Sequence, residues 1–463
     1  MKRYIVFLSI FILYSISFNL LFAQNFGEKD RSKYYDFGKK FYLEEYSIPI
    51  QHDSIRTFIL FRIAYDQFVF KKNESLISTK GSFFTEVYLE FEFKNSDGII
   101  KQRKIWKDTI YVDKYDEIKS QDAFLKGVFY VELDNHEYDM IFRMQGSNIQ
   151  SVVKKNFPKI EPYNSQKPFI SKPMFVNYFD YDKTKEFVPF LLSGNIPFRS
   201  NGASILQLVS LKSDFDKFDY SIKLSKQKKN DYYWNSQINL SGKLAPFTNS
   251  SFNLLYSNQN ENSNVDVFKI IPFIYKIDSI KNVRLGILKI DISPNLTAPG
   301  NYELIISSDG SKDTVKQQFE VVWQDMPLSL YNPDYSAELM YYILNDDEYD
   351  KITSGNSQEK FKNVLSYWQQ HDPTPNTPYN EAMAEYFKRC DYAFFNFQTV
   401  SQKDGAKTDR GKIYILFGAP DSKESSLGTD KTIETWIYKK NKKSYIFEST
   451  STGVMTLTKV NNQ

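Results

Sequence analysis

The sequence predicts a mainly β protein: two immunoglobulin-like or fibronectin-type-III-like β-sandwiches followed by an α+β module. Three observations carry this expectation. Tyr and Phe number 33 and 39 within an aromatic share of 17%, and aromatic side chains suit a pleated, half-buried surface. Strand-length apolar runs with period-2 patterning recur as far as Trp323. Beyond Trp323 the spacing of apolar residues becomes helical.

A chain of 463 residues exceeds a single ordinary core. The expected division is a leader at 1–23, β-sandwiches at 24–160 and 161–325, and the α+β module at 326–463. In the leader, Lys2 and Arg3 precede the apolar run Ile5 to Leu13, and Ala23 supplies a small residue before Gln24. Ser15, Ser17 and Asn19 interrupt the run and weaken the alternative of an uncleaved membrane anchor. No cysteine stands directly after the leader, which rules out lipoprotein attachment, and no later stretch has the length and apolarity to cross a membrane. The expected localisation is therefore export, to the periplasm, the outer membrane or the exterior.

Within the first β region, Val87, Leu89, Phe91 and Phe93 share one strand face, while Glu86, Tyr88, Glu90 and Glu92 share the other. Asn95-Ser-Asp-Gly98 then signals a hairpin, because Asp-Gly accommodates positive φ. Pro158, Pro162, Pro168 and Pro173 mark a linker. The second region ends in a Pro-Gly turn, a strand opened by Tyr302, an Asp309-Gly310 turn and a last strand to Trp323. Tyr302 is placed like the tyrosine corner of a sandwich.

In the C-terminal region, Asn332-Pro333 predicts a helix over 334–344, and Ser357 caps one carrying Phe361, Val364, Leu365 and Trp368. Thr377-Pro378 opens the longest helix, with Met383, Tyr386, Phe387, Cys390, Phe394 and Phe397 on one stripe, which makes Cys390 a small core residue. Lys412–Phe417, Ile433–Tyr438, Tyr445–Glu448 and Met455–Lys459 are expected as strands of a small antiparallel sheet.

From about Trp368 onward the chain resembles the GWxTD domain family. The match runs through Trp368, Asp372-Pro-Thr-Pro375, Thr377-Pro378, Asn380-Glu381, Glu385-Tyr386, Arg389, Ala393 and Phe397. It continues through Gly405-Ala-Lys-Thr408-Asp409-Arg410-Gly411, Ile413-Tyr-Ile415, Gly418, Pro420-Asp421, Glu434, Trp436 and Tyr438. The Trp that gives the family its name is Ala406 here, and His371 stands where an Arg commonly precedes the Asp-Pro. The resemblance implies a secreted or envelope protein with a sandwich region ahead of the module. The family has no established activity, so no catalytic role follows from it.

The residues with functional or structural promise are Trp368, Asp372, Glu381, Glu385, Arg389, Thr408, Asp409, Arg410, Asp421 and Trp436. Two carboxylates at suitable separation could hydrolyse a glycosidic bond. Set against this, Glu381, Glu385 and Arg389 have i,i+4 helical spacing, and Asp409 and Asp421 follow turn residues. One cysteine and three scattered histidines (His52, His136, His371) leave little for a thiolate metal site or a Ser-His-Asp relay. Phosphate loops and a helical His-Glu-x-x-His are absent, and the acids of 345–350 lack calcium-loop spacing. No cofactor or metal is expected. The formal charge is +3, of which Lys2 and Arg3 supply two, and the basic residues form no stripe, so nucleic acid is not an expected partner. The expected partners are other envelope proteins or glycans.

Asp53-Ser-Ile55, Asp108-Thr-Ile110, Asp278-Ser-Ile280 and Asp313-Thr-Val315 resemble the acceptor of a bacterial periplasmic O-glycosylation system; the plainer reading is a turn entering a strand. The favoured function is a non-catalytic binding or scaffolding protein of the envelope. The alternative is a glycan-binding or glycan-hydrolysing protein, and a peptidase or other hydrolase ranks last.

Overall fold

The computed structural model describes residues 40–51, 53–74, 81–118, 123–146, 153–156, 160, 169–198, 200–211, 216–225, 238–247, 253–257, 268–272, 284–308, 314–428, 431–449 and 453–462. The leader, His52, Pro158, Pro162, Pro168 and Asp309-Gly310 lie outside them. The chain forms two compact units, one of Gly38–Trp323 and one containing Gln324–Gln463.

The first unit opens with β1 (Phe41–Gln51), β2 (Ser54–Ala64), β3 (Lys71–Lys72), β4 (Phe83–Lys94), β5 (Ile100–Val112), β6 (Phe124–Asp134), β7 (Asp139–Gly146) and β8 (Val153–Asn156). One sheet has the order β1-β2-β6; in the other, β4 pairs with β3, β5 and β7, and β8 joins β7. The hairpin at Asn95–Gly98 is present, with Gly98 at φ +77°. As the alternation predicts, Val87, Leu89, Phe91 and Phe93 are buried, and they pack with Ile59, Phe61, Phe129 and Phe142 between the sheets. Gly127 is required here, because a Cβ on it would stand 2.1 Å from the Phe61 ring.

Strand β2 is buried on both faces, which explains its unbroken run Phe58-Ile-Leu-Phe61. Its second face sends Phe58 and Leu60 into another core with Tyr46, Ile48, Val128, Met174, Val176, Leu206, Leu208 and Ile287. The β1-β2-β6 sheet is therefore a middle layer shared by both β regions. Glu44 of β1 strengthens the junction. Its buried carboxylate accepts from Tyr46 Oη (2.7 Å) and from Gly194 N (3.0 Å). Leu191 and Ser193 beside that contact have φ +54° and +58°, strained values for residues with a Cβ. Burial raises the Glu44 carboxyl above its ordinary range, and the hydrogen bonds from Tyr46 and the 192–194 backbone oppose that rise.

The second β region contains β9 (Met174–Asn177), β10 (Glu186–Phe187), β11 (Ile196–Pro197), β12 (Ala203–Leu211), β13 (Phe218–Leu224), β14 (Leu240–Leu244), β15 (Asn253–Ser257), β16 (Phe268–Pro272), β17 (Arg284–Ile292), β18 (Gly300–Ser308) and β19 (Thr314–Val322). Its sheets have the orders β17-β12-β9, β11-β19-β18-β13-β14 and β10-β15-β16. Residues 169–173 run along β12 rather than standing free, with Ser171 N donating to Leu208 O and Ile170 bridged to Val209. Tyr302, fully buried, stacks on Phe319 and donates its hydroxyl to Ala298 O at 2.8 Å. That is the corner its position predicted.

The second unit begins with helices α1 (Pro333–Leu339), α2 (Asp346–Thr353), α3 (Ser357–Gln370), α4 (Glu381–Asn396) and α5 (Asp409–Phe417). It ends in an antiparallel sheet of β20 (Ser422–Leu427), β21 (Thr432–Tyr438), β22 (Lys443–Ser449) and β23 (Met455–Asn462), in chain order. The first predicted helix starts as expected but ends early, and the other two shift at their starts. Asn332 caps α1, which stops at Leu339; Asn356 rather than Ser357 caps α3; Asn380, not the Thr377-Pro378 pair, caps α4.

One expected strand is absent. Residues 412–417 belong to helix α5, not to a strand. Gly411, Ile413 and Ile415 are buried while Lys412 is exposed, so a buried helix imitated alternation. The ends decide the matter. Thr408 caps the start through Gly411 N, and Gly418 at φ +77° terminates it.

Tyr302→Phe should lower stability by about 1–2 kcal/mol in urea unfolding, since it leaves the buried Ala298 carbonyl without its donor. An unchanged midpoint would show that the corner bears no load.

Candidate functional site

The residues of the GWxTD-like segment sit where three backbone segments touch. A short 3-10 turn, Gly405–Lys407, lies against the end of α4. A Cβ on Gly405 would stand 2.2 Å from Ala393 O and 2.7 Å from Phe394 O. A Cβ on Gly411 would stand 2.1 Å from Gly405 O, so both glycines exist to let backbone meet backbone. Asp404 caps the turn through Ala406 N (3.0 Å) and also accepts from Tyr335 Oη (3.0 Å). Thr408 caps α5 by accepting from Gly411 N (3.0 Å) while its hydroxyl donates to Gly405 O (2.8 Å). Asp409, the first residue of α5, reaches the sheet and accepts from Leu457 N of β23 at 2.7 Å.

Ala406, at the position of the name-giving Trp, is fully buried, and its carbonyl accepts from Tyr342 Oη (2.9 Å). Elsewhere in the unit, one large ring is Trp436. It is buried among Phe397, Tyr414 and Phe447, with centroids 5.4, 6.5 and 5.0 Å away.

Each remaining acid has its own partner. Asp372 accepts from Thr374 N (2.8 Å), and the Thr374 hydroxyl donates to Glu381 (2.6 Å), which ties the Pro-rich loop. Asn380 both caps α4 and donates to Trp368 O (2.6 Å). Trp368 is buried against Tyr386 and Phe387. Asp421 accepts from Lys439 N (2.7 Å) across the β20–β21 hairpin. Glu434, nearly fully buried, accepts from Trp436 Nε1 and pairs with Lys423 (2.9 Å) and Arg410 (3.5 Å). Glu385 pairs with Arg389 (2.7 Å) on the exposed side of α4. The acids Asp346, Asp347 and Glu348 form the first turn of α2, where Glu348 completes a capping box with Asn345. Among the described residues no group of three His, Cys, Asp or Glu side chains converges as a metal site.

One strongly shifted carboxyl has no counterpart among the residues singled out from the sequence. Asp391 on α4 is half-buried and accepts from Leu328 N and from Ser329 N (2.9 Å), holding the chain that enters the unit. Burial pushes its carboxyl up to about 6, against the pull of those N–H bonds. Its neighbour Cys390 has no exposure, and burial drives the thiol well above its ordinary pKa, followed in effect by Asp391 and Asp404. The sequence signal was slight: an Asp beside the apolar stripe of a helix.

Of the tripeptides resembling a glycosylation acceptor, Asp53 lies in a turn and Ser54 opens β2. Thr109 lies inside β5, where its N–H donates to Asp108 (2.8 Å). Asp278-Ser-Ile280 and Asp313 lie outside the described residues.

Residues 302–457 match the GWxTD domain family, so the C-terminal region carries a GWxTD domain that begins within β18. No curated protein matches the chain. A solved bacterial adhesin from Mobiluncus mulieris, containing intramolecular disulfide, isopeptide and ester bond cross-links, aligns with 62% of this chain and 95% of its own at 8% identity. Its TM-score of 0.11 carries no argument.

The Asp391 carboxyl has a folded pKa above its unfolded value, so its stabilising contribution is fully present below about pH 4 and is lost as pH rises through about 6. Asp391→Asn should flatten that part of the stability profile, removing roughly 2–3 kcal/mol of pH dependence in denaturant titrations. An identical profile in the variant would contradict the assignment.

Proposed function

We propose that this protein is exported to the bacterial cell envelope and acts there as a non-catalytic binding or scaffolding protein. The observation that carries the reading is the fate of the carboxylates in the GWxTD domain. Asp409 and Asp421 each hold a backbone N–H of the sheet, Asp372 holds its own loop, and Glu434 is enclosed by Trp436 and two cations. Acids engaged in this way fix chain geometry. General acid–base work needs a carboxyl within reach of substrate. Export is supported by the basic, then apolar, start of the sequence. The periplasm and the outer membrane are the locations this reading favours. No described helix has the length and apolarity of a membrane span.

The alternative, a glycan-binding or glycan-hydrolysing protein, is supported on its binding side by Tyr392, a large ring 46% exposed on α4. Its hydrolytic side needs two acids facing one cleft. Asp409 and Asp421, the candidate carboxylates for it, are bonded apart, to Leu457 N in β23 and to Lys439 N just past β21.

Envelope fractions should contain a chain starting at Gln24, recovered in stable complexes after mild crosslinking. A full-length chain with Met1 in the cytosol, or a monomer under all crosslinking conditions, would refute the proposal.

A further inference from the structure

We propose that Arg389, with the adjoining Tyr392–Tyr414 ring stack, is the seat for a carboxylate-bearing saccharide, an inference that rests on the binding-protein reading and names its ligand class. The surface is made from one turn of α4 and the end of α5. Arg389 Nε donates to Glu385 Oε1 at 2.7 Å, which orients the guanidinium from one side. Its two terminal amino groups have no hydrogen-bond or ion-pair partner among the described residues.

Behind the guanidinium lies Gly418. A Cβ there would stand 3.3 Å from Arg389 Cζ and 3.5 Å from Nε and Nη2, so the charged plane rests against bare backbone. Gly418 also has φ +77°, a conformation that favours glycine. Tyr438 fixes that backbone by donating its hydroxyl to Gly418 O (2.8 Å). One turn along α4, Tyr392 is 46% exposed and stacks on Tyr414, with centroids 4.3 Å and planes 16° apart.

An exposed i,i+4 ion pair alone contributes little, and it would need neither a glycine behind it nor a stacked ring beside it. The arrangement instead presents a held, partly exposed fork whose parallel N–H groups match a carboxylate in bidentate fashion. Tyr392, braced from one side, offers an apolar plane to the C–H face of a pyranose. A simple phosphate would use the fork and gain nothing from the ring. The combination therefore selects an acidic sugar, a uronate in chemical terms.

The test titrates the full mature chain with tri-galacturonate, with galactotriose and inorganic phosphate as controls, by calorimetry or heteronuclear NMR. Saturable binding of tri-galacturonate is expected, with galactotriose and phosphate each weaker by about tenfold or more. Arg389→Gln should weaken the acidic ligand by about tenfold with little change in thermal midpoint, and Arg389→Lys should fall between, because it keeps the charge without the fork. Tyr392→Ala should weaken it several-fold. Absence of saturable binding, equal binding of the neutral or inorganic control, or wild-type affinity in Arg389→Gln would overturn the proposal. If crosslinked envelope complexes persist while saccharide binding fails, the ligand assignment falls alone; loss of the complexes is a separate result that removes the broader reading.

Discussion

The C-terminal unit depends on a close approach of backbone that only glycine permits. Gly405 lies on the carbonyls ending α4, and Gly411 lies on the carbonyl of Gly405, so α4, the 3-10 turn and α5 stack without side chains between them. Such contact brings unsatisfied helix-end groups together, and the neighbouring residues satisfy them. Asp404 caps the turn, Thr408 caps α5, and Asp409 extends the tie to β23. The most distinctive part of the family motif is thereby accounted for as a three-way junction. With the name-giving Trp replaced by Ala406, the junction keeps its hydrogen bonds, and Tyr342 supplies one to the Ala406 carbonyl.

The first unit rests on a comparable constraint at larger scale. A sheet buried on both faces must be apolar in consecutive positions, and β2 meets that demand with Phe58 to Phe61. Its two faces serve two cores, so the β regions are joined by packing and by the Glu44 contact with the strained 191–194 loop. A buried carboxylate raised by desolvation is costly, and the N–H groups turned toward it offset part of that cost.

Much of this was legible in the sequence where local chemistry and global packing agree. The β4–β5 hairpin follows from alternation plus Asp97-Gly98, the corner from Tyr302 after a Pro-Gly turn, and the α4 stripe from helical spacing. What was not legible depends on distant partners. Helix α5 is covered on more than one side, so its burial mimics a strand until the caps at Thr408 and Gly418 are seen. The 169–173 segment looks like a Pro-punctuated linker, yet it runs along β12. Among the singled-out residues, Asp409, Asp421 and Trp436 acquire meaning only from Leu457, Lys439 and the ring cluster they meet. Asp391 escaped notice because an Asp on a helix is ordinarily solvated, and burial becomes visible only in three dimensions.

The charged groups of the C-terminal unit divide into those engaged and those left available. Asp372, Asp409 and Asp421 hold backbone N–H groups, while the two terminal amino groups of Arg389 have no hydrogen-bond or ion-pair partner among the described residues. Central to the engaged set is Asp409, a structural tie between α5 and the sheet. Amide hydrogen exchange at Leu457 tests it most directly. In the wild-type chain that amide should be protected, and in Asp409→Ala its exchange should quicken by about tenfold or more while amides of β4 and β12 stay unchanged. Equal exchange at Leu457 in the two proteins would contradict the account.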